Sequence, residues 1–342
     1  MKTPFRNTGA RVHDKFAYDG LQVVFLENEF LRIMVLPGQG ADVVEFMYKP
    51  RDVDFMWHSP LGIRNQAKHI RPAPDEMAFT DFYEGGWQEM FPHASAPTTY
   101  KGARFGWHGE VWGMPWEVEV EKDTPEEVSV LFWVRTVRSP FLLERRMSLR
   151  AGQPTLFISE RVTNEGRGAQ EFMWGHHIAY GAPMLAEGAR IFAPAKTVRI
   201  DEVDYPWPAP GKPPGALARH DIVGAVRREG ELMKYLLELE DGWYALLNPK
   251  LDLGIGVRWD KEVFSCVWMW NELHYNSSVP WYGRAYAMAL EPVSSLPLAR
   301  ERATRLLLLE AGKTIETEMR LTTFEGIKSV TNVTPAGKIV GE

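Results

Sequence analysis

"TLFISERVTNEGRGAQEFMWGHHIAYG", residues 155–181, decides how the chain is read. Its first ten residues, "TLFISERVTN", are rich in β-branched and apolar residues spaced as in a strand with one buried face. "NEGRG" (164–168) is turn chemistry: an asparagine and two glycines that tolerate backbone angles other residues avoid. A second aromatic, apolar run then follows, so the spacing predicts a β-hairpin. That run also holds two of the chain's nine histidines side by side. Burying a polar ring without a partner is costly, and successive strand residues face opposite sides. Unless a bulge intervenes, only one of His176 and His177 can enter a given cavity. The other must face the opposite layer or hold a loop.

The same texture extends outward in both directions. "LQVVFLEN", "FLRIMVLP" and "ADVVEFMYK" read as an N-terminal meander, and "PWEVEVEKD", "EVSVLFWVRTV" and "FLLERRMSLR" as further strands. "MKYLLELED", "WYALLNPK", "LGIGVRWD", "VFSCVWMW", "ATRLLLLEAG" and "TIETEMRLTTF" continue the pattern. The best helical candidate, "AVRREGELMKYLLELE", is interrupted by Gly230. Many short strands broken by Gly and Pro turns predict an all-β chain, read here as one large antiparallel β-sandwich domain over residues 1–342. Two stretches stand out as loops: Ser59 to Gly106, long enough to suggest a function, and the proline-rich 203–216.

Composition narrows the partners. With 342 residues, 45% hydrophobic and 25% charged, the chain falls among ordinary globular proteins. A net charge of -6 without any lysine-arginine run argues against nucleic acid or an anionic membrane as partner. One cysteine, Cys266, excludes an internal disulfide and fits a reducing compartment. The start lacks the apolar core of a secretory signal, and no continuous apolar run approaches the length of a membrane span. A cytoplasmic location is the expectation. The 13 Trp, 11 Tyr and 17 Phe can build a large core, or stack on the apolar C–H faces of sugars.

Candidate chemistry rests on few groups. His93, His108, the 176–177 pair and His274 are the histidines to weigh. His108 precedes Gly109, which would let a ligand or another backbone approach closely. Glu291, in "RAYAMALEPVSSLP", ends an apolar strand, where desolvation raises a carboxyl's pKa toward that of a useful general base. The histidine spacing gives little support to a metal site, no G-x-S-x-G nucleophile motif is present, and no phosphate-cradling glycine loop occurs.

Taken in order, these pieces resemble the aldose 1-epimerase (galactose mutarotase-like) superfamily. The resemblance rests on "FLRIMVLPGQGADVVEFMYKPRDVDFMWHSP", on "GGWQEMFPHA" followed by "WHGEVWGMPWEV", on "TLFISERVTNEGRGAQEFMWGHHIAYG" and on "ALEPVS", and it spans most of residues 20 to 320. It implies a β-sandwich of the supersandwich type that interconverts sugar anomers without a cofactor or metal. The carry-over gives Glu291 the role of base, His177 that of acid on the opposite edge of the sugar, and His108 a hydrogen bond to the ring or an adjacent hydroxyl. His176 is left to bind or brace. Arg64 is the favoured substrate-binding arginine, with Arg71 and Arg104 as rivals. Trp87 is expected as a stacking platform and Glu89 as a hydroxyl acceptor, and the 203–216 segment, with Tyr205 and Trp207, as a lid. The implied partner is a small-molecule sugar. Two other functions fit the same residues: a non-catalytic carbohydrate-binding sandwich, and a metal-dependent β-barrel isomerase or dioxygenase.

Overall fold

The computed structural model describes residues 6, 8–68, 78–208, 220–226, 232–297 and 306–342. Strands dominate, and the named strands pair antiparallel throughout. A 12-stranded sheet and an 8-stranded sheet hold most of them. The two pack face to face through one apolar cluster that draws on both. Val24, Ile33, Val43 and Ile178 come from the larger sheet, and Val130, Leu143, Ile158 and Leu321 from the smaller. The alternation that marks each strand in sequence is the cause, because it gives every strand one row of apolar side chains to bury. The expected large antiparallel sandwich is what the chain forms.

The central strands of the larger sheet carry the features of interest. Strand Gly175–Tyr180 lies between strand Trp87–Met90 and strand Met288–Val293, and strand Cys266–Asn271 follows beyond. All but one residue of these four strands are buried, Trp270 being half-exposed. The sheet is therefore covered on both faces here: by the second sheet on one side, and by loops and the short helix Ala78–Phe82 on the other.

Two sequence expectations change. Residues 155–181 do not form a hairpin. Strand Thr155–Asn164 belongs to the smaller sheet and Gly175–Tyr180 to the larger, so "NEGRG" is the corner between layers. The Asn164 side chain fastens that corner. Its Nδ2 donates to the carbonyls of Gly168 and Leu309, each at 2.9 Å, and its Oδ1 accepts from the Gly166 N–H. The same turn residues serve a hairpin or an arch, and only the partners of the flanking strands decide between them. The Ser59–Gly106 stretch contains strand Trp87–Met90 at the sheet centre, too short and too polar to announce itself. In the helical candidate, Met233–Leu237 is a strand, as the "MKYLLELED" reading expected, and residues 227–231 lie outside the described residues.

The lid expectation is also corrected for the described part of its segment, residues 203–208. Val203–Pro206 is an exposed edge strand paired with Thr197–Ile200, and Trp207 is buried in the main core. Residues 209–216 of that segment lie outside the described residues. Cys266 is buried with a free thiol.

Candidate active site

One row of side chains crosses the larger sheet on the face turned away from the second sheet. His177 pairs with Gln88, and Trp268 pairs with both Glu291 and Tyr235. The register Gly175↔Val293 and Ala179↔Ala289 sets His177 directly opposite Glu291. Period-two alternation therefore delivers an imidazole and a carboxyl to the same spot, with His177 Nε2 3.5 Å from Glu291 Oε1. They lie on the floor of a hollow of about 410 Å³. Its walls are mainly aromatic: Phe79 and Tyr83 from the helix region, Trp107 from the loop before His108, and Trp268, Trp270 and Trp281.

His108 arrives from the loop side. Its ring lies 5.2 Å from that of His177, between centroids, and 4.4 Å from Phe79. Two unusual backbone angles deliver it. His108 itself has φ 60°, and Gly109 follows with φ 83°. A Cβ on Gly109 would stand 2.3 Å from the Phe91 carbonyl oxygen, so the glycine expected to permit close approach permits that of another backbone strand. His108 Nδ1 is 3.1 Å from the Ala94 carbonyl. A carbonyl only accepts, so Nδ1 carries the proton and Nε2 presents a lone pair.

Burial dominates the electrostatics. Glu291 is 1% exposed, one of its oxygens has no hydrogen-bond partner, and desolvation pushes its pKa well above the usual glutamate value. Desolvation pulls His177 down to about 4, opposed by a hydrogen bond to its own backbone. It also pulls His108 well below the ordinary histidine value, helped by the neighbouring His177. Burial thus disfavours the charged form of all three groups. The expectation that Glu291 is partly desolvated and raised in pKa therefore holds.

The other face of the same strand holds a different assembly. His176 points between the sheets, where Nε2 is 3.1 Å from Glu160 Oε2 and Nδ1 is 3.6 Å from Glu89 Oε2. The Trp87 indole N–H donates to His176 Nδ1 at 3.2 Å. Since an indole only donates, Nδ1 is bare and Nε2–H faces Glu160. Arg145 Nη1 lies 3.2 Å from Glu89 Oε2, with its guanidinium over Trp116 and bonded to the Ala41 carbonyl. Desolvation lifts Glu89 and Glu160 each to about 7 and takes His176 down to about 4. Glu89, Glu160 and His176 could in principle share a metal, since their ligand atoms lie within 4.8 Å of one another. The Arg145 cation already supplies the positive charge there, and Trp87 occupies one imidazole nitrogen.

Of the residues expected to form the site, the structure brings Glu291, His177 and His108 together. It does not bring Trp87, Glu89 or His176 to them, and these three are corrected to positions between the sheets. Each is fully buried on the far side of the sheet, because residues 87 and 89, like 176, have the opposite strand parity to Gln88 and His177. Arg64 is corrected as well: it stacks over Phe82 at 5.4 Å and does not line the hollow. Arg104 is exposed on strand Ala103–Phe105, and Arg71 lies outside the described residues. His93 bonds the Ala96 carbonyl, and His274, exposed, bonds that of Gly283. Sequence reading missed Tyr83 and the tryptophans of the hollow. "CVWMW" held a usable signal: Trp268 and Trp270, two apart, share a face.

Comparison with known proteins agrees with this architecture. A candidate aldose 1-epimerase from Klebsiella pneumoniae superposes with a TM-score of 0.73 at 16% identity, over 92% of this chain and 83% of that one. A galactose mutarotase related enzyme from Lactobacillus acidophilus gives 0.60 at 18% identity, covering 90% and 99%. A galactose mutarotase-like protein from Lactobacillus casei gives 0.60 at 16%, covering 88% and 100%. The fold is thus that of the galactose mutarotase-like sandwiches. Within it, the chain belongs to the family described as a domain of unknown function (DUF4432), whose model matches residues 18–323. No curated protein matches the sequence. No helix among the described residues is long and apolar enough to cross a membrane.

Proposed function

We propose that the aromatic hollow binds a free sugar and that Glu291 and His177 interconvert its anomers, with His108 as a third hydrogen-bonding group. The observation that carries this reading is the direct opposition of Glu291 and His177, 3.5 Å apart, within an aromatic wall. Opening a hemiacetal needs an acid at the ring oxygen and a base at the anomeric hydroxyl. Both oxygens sit on one carbon, so acid and base must stand side by side rather than across the ring. The cross-strand pair fits that demand better than the opposite-edge arrangement expected from sequence.

The directions of the pKa shifts favour starting roles opposite to those expected from the resemblance. In this reading the proton starts on Glu291, whose pKa burial raises, so Glu291 begins as acid and protonates the ring oxygen. Neutral His177 begins as base and takes the proton of the anomeric hydroxyl. The C1–O5 bond breaks, C1 becomes a carbonyl, and the pair is left as carboxylate and imidazolium. After rotation about C1–C2, the imidazolium protonates the carbonyl oxygen as the 5-hydroxyl attacks C1, and Glu291 recovers its proton from that hydroxyl. The His108 Nε2 lone pair can hold a neighbouring hydroxyl throughout. The aromatic walls supply apolar faces for the sugar's C–H surface and exclude water, which strengthens each proton contact.

NMR exchange spectroscopy between anomers, across a panel of free aldoses, tests this. The wild type is expected to accelerate exchange of at least one sugar, with or without chelator. Glu291→Gln should lower the rate by about 10²–10⁴-fold, the usual worth of a general acid–base group. Sugar binding without exchange in either form would support the non-catalytic alternative. Exchange abolished by chelator would support the metal-dependent one.

A further inference from the structure

The proposed chemistry leaves one feature of the hollow unused. Tyr83, 3% exposed, sets its hydroxyl 3.2 Å from His177 Nδ1, on the side of the imidazole away from Glu291. We propose that Tyr83 is the positioning residue of His177: its hydroxyl oxygen accepts the Nδ1 proton and so fixes the tautomer whose bare Nε2 faces Glu291 and the substrate. This inference rests on the reading of the hollow as a sugar site.

The geometry supports it from several sides. A neutral imidazole carries one N–H, and whichever nitrogen holds it needs an acceptor when buried. At Nδ1 the acceptors are the Tyr83 hydroxyl and the residue's own backbone. At Nε2 the neighbour is the Glu291 carboxyl, which burial pushes toward its protonated, hydrogen-donating form. The backbone oxygen can only accept and so favours a proton on Nδ1, where the Tyr83 hydroxyl can accept it as well. His108 reaches the same tautomer through the Ala94 carbonyl. The titratable groups facing His177 are Tyr83 from the segment after the helix, His108 from its loop and Glu291 from the next strand. Glu84 and Asp42 lie beyond Tyr83 and act on its hydroxyl.

Tyr83 is itself held in place. Its ring stacks on Phe79, with centroids 4.9 Å apart and planes 23° apart, and meets His177 edge-on at 5.4 Å. It also contacts Trp57 at 5.5 Å and Trp281 at 6.0 Å. A phenylalanine at 83 keeps every one of these ring contacts and removes only the hydroxyl, so Tyr83→Phe isolates the hydrogen bond. When His177 becomes imidazolium during ring opening, the Nδ1–H bond to that oxygen strengthens. The hydroxyl therefore stabilises the charged intermediate as well as orienting the resting ring.

Long-range ¹H–¹⁵N spectra of histidine-labelled protein read the tautomer without any substrate. The wild type is expected to show His177 with pyrrole-type Nδ1 and pyridine-type Nε2, and Tyr83→Phe to lose that preference. In the exchange assay, Tyr83→Phe should lower kcat about tenfold with KM within about twofold, as expected for one buried hydrogen bond acting on the reaction and not on binding. The acidic limb of its pH profile should move to lower pH. A His177 protonated on Nε2 in the wild type, or an identical tautomer in Tyr83→Phe, would overturn the inference. So would a loss of kcat with the acidic limb unmoved. Absence of exchange with every sugar would instead count against the function proposed above, since the tautomer spectra do not depend on it.

Discussion

His176 and His177 are adjacent on one strand, both are buried, and desolvation takes both to about 4. They nonetheless serve opposite ends. His176 faces the second sheet, where an indole N–H, two carboxyls and a guanidinium enclose it. His177 faces the hollow, between a tyrosine hydroxyl and a single carboxyl. Partners divide the two where burial does not. The Trp87 donor puts the proton of His176 on Nε2, and the partners of His177 favour Nδ1. One ring is enclosed by polar and charged groups between the sheets, and the other keeps its reactive nitrogen toward open space. A depressed histidine pKa alone would not have told them apart.

The contrast can be broken most forcefully from the inner face. Arg145→Met leaves two buried carboxyls without their cation, and removing one partner from a buried ion cluster costs about 3–5 kcal/mol. Denaturant unfolding should show a loss of that order, while anomer exchange per folded molecule stays near the wild-type rate. A variant of normal stability would mean that the inner cluster is no support for the fold. A smaller effect sharpens the outer face. His177 must be neutral to accept a proton, so activity should rise as pH rises through about 4. Glu291 must be protonated to donate, so activity should fall only well above the ordinary glutamate value of 4.5. A kcat profile that already declines near pH 4.5 would contradict the starting roles given to the pair.

Much of this was legible in the sequence, for physical reasons. Alternation with period two identified most strands of both sheets, because each strand must bury one face. It also required His176 and His177 to part company, and they do. The desolvated position of Glu291 followed from the apolar "AMAL" before it. Register was not legible. Whether Glu89 and Trp87 face the hollow depends on which residue of a four-residue strand pairs with His177, and "WQEM" has no alternation to say so. Nor could "NEGRG" reveal that it joins two layers, since the chemistry of an arch and of a hairpin is the same within those five residues. Tyr83 was invisible for a related reason: its partner is 94 residues away.

One strand separates chemistry from stability between two neighbouring histidines. The most direct measurement pairs His177→Gln with His176→Gln and records, for each, the anomer exchange rate and the melting temperature. His177→Gln is expected to lose about 10²–10⁴-fold in exchange with melting close to wild type, and His176→Gln to melt earlier while each folded molecule exchanges anomers normally. The opposite pattern, or equal losses of both properties in both variants, would contradict it.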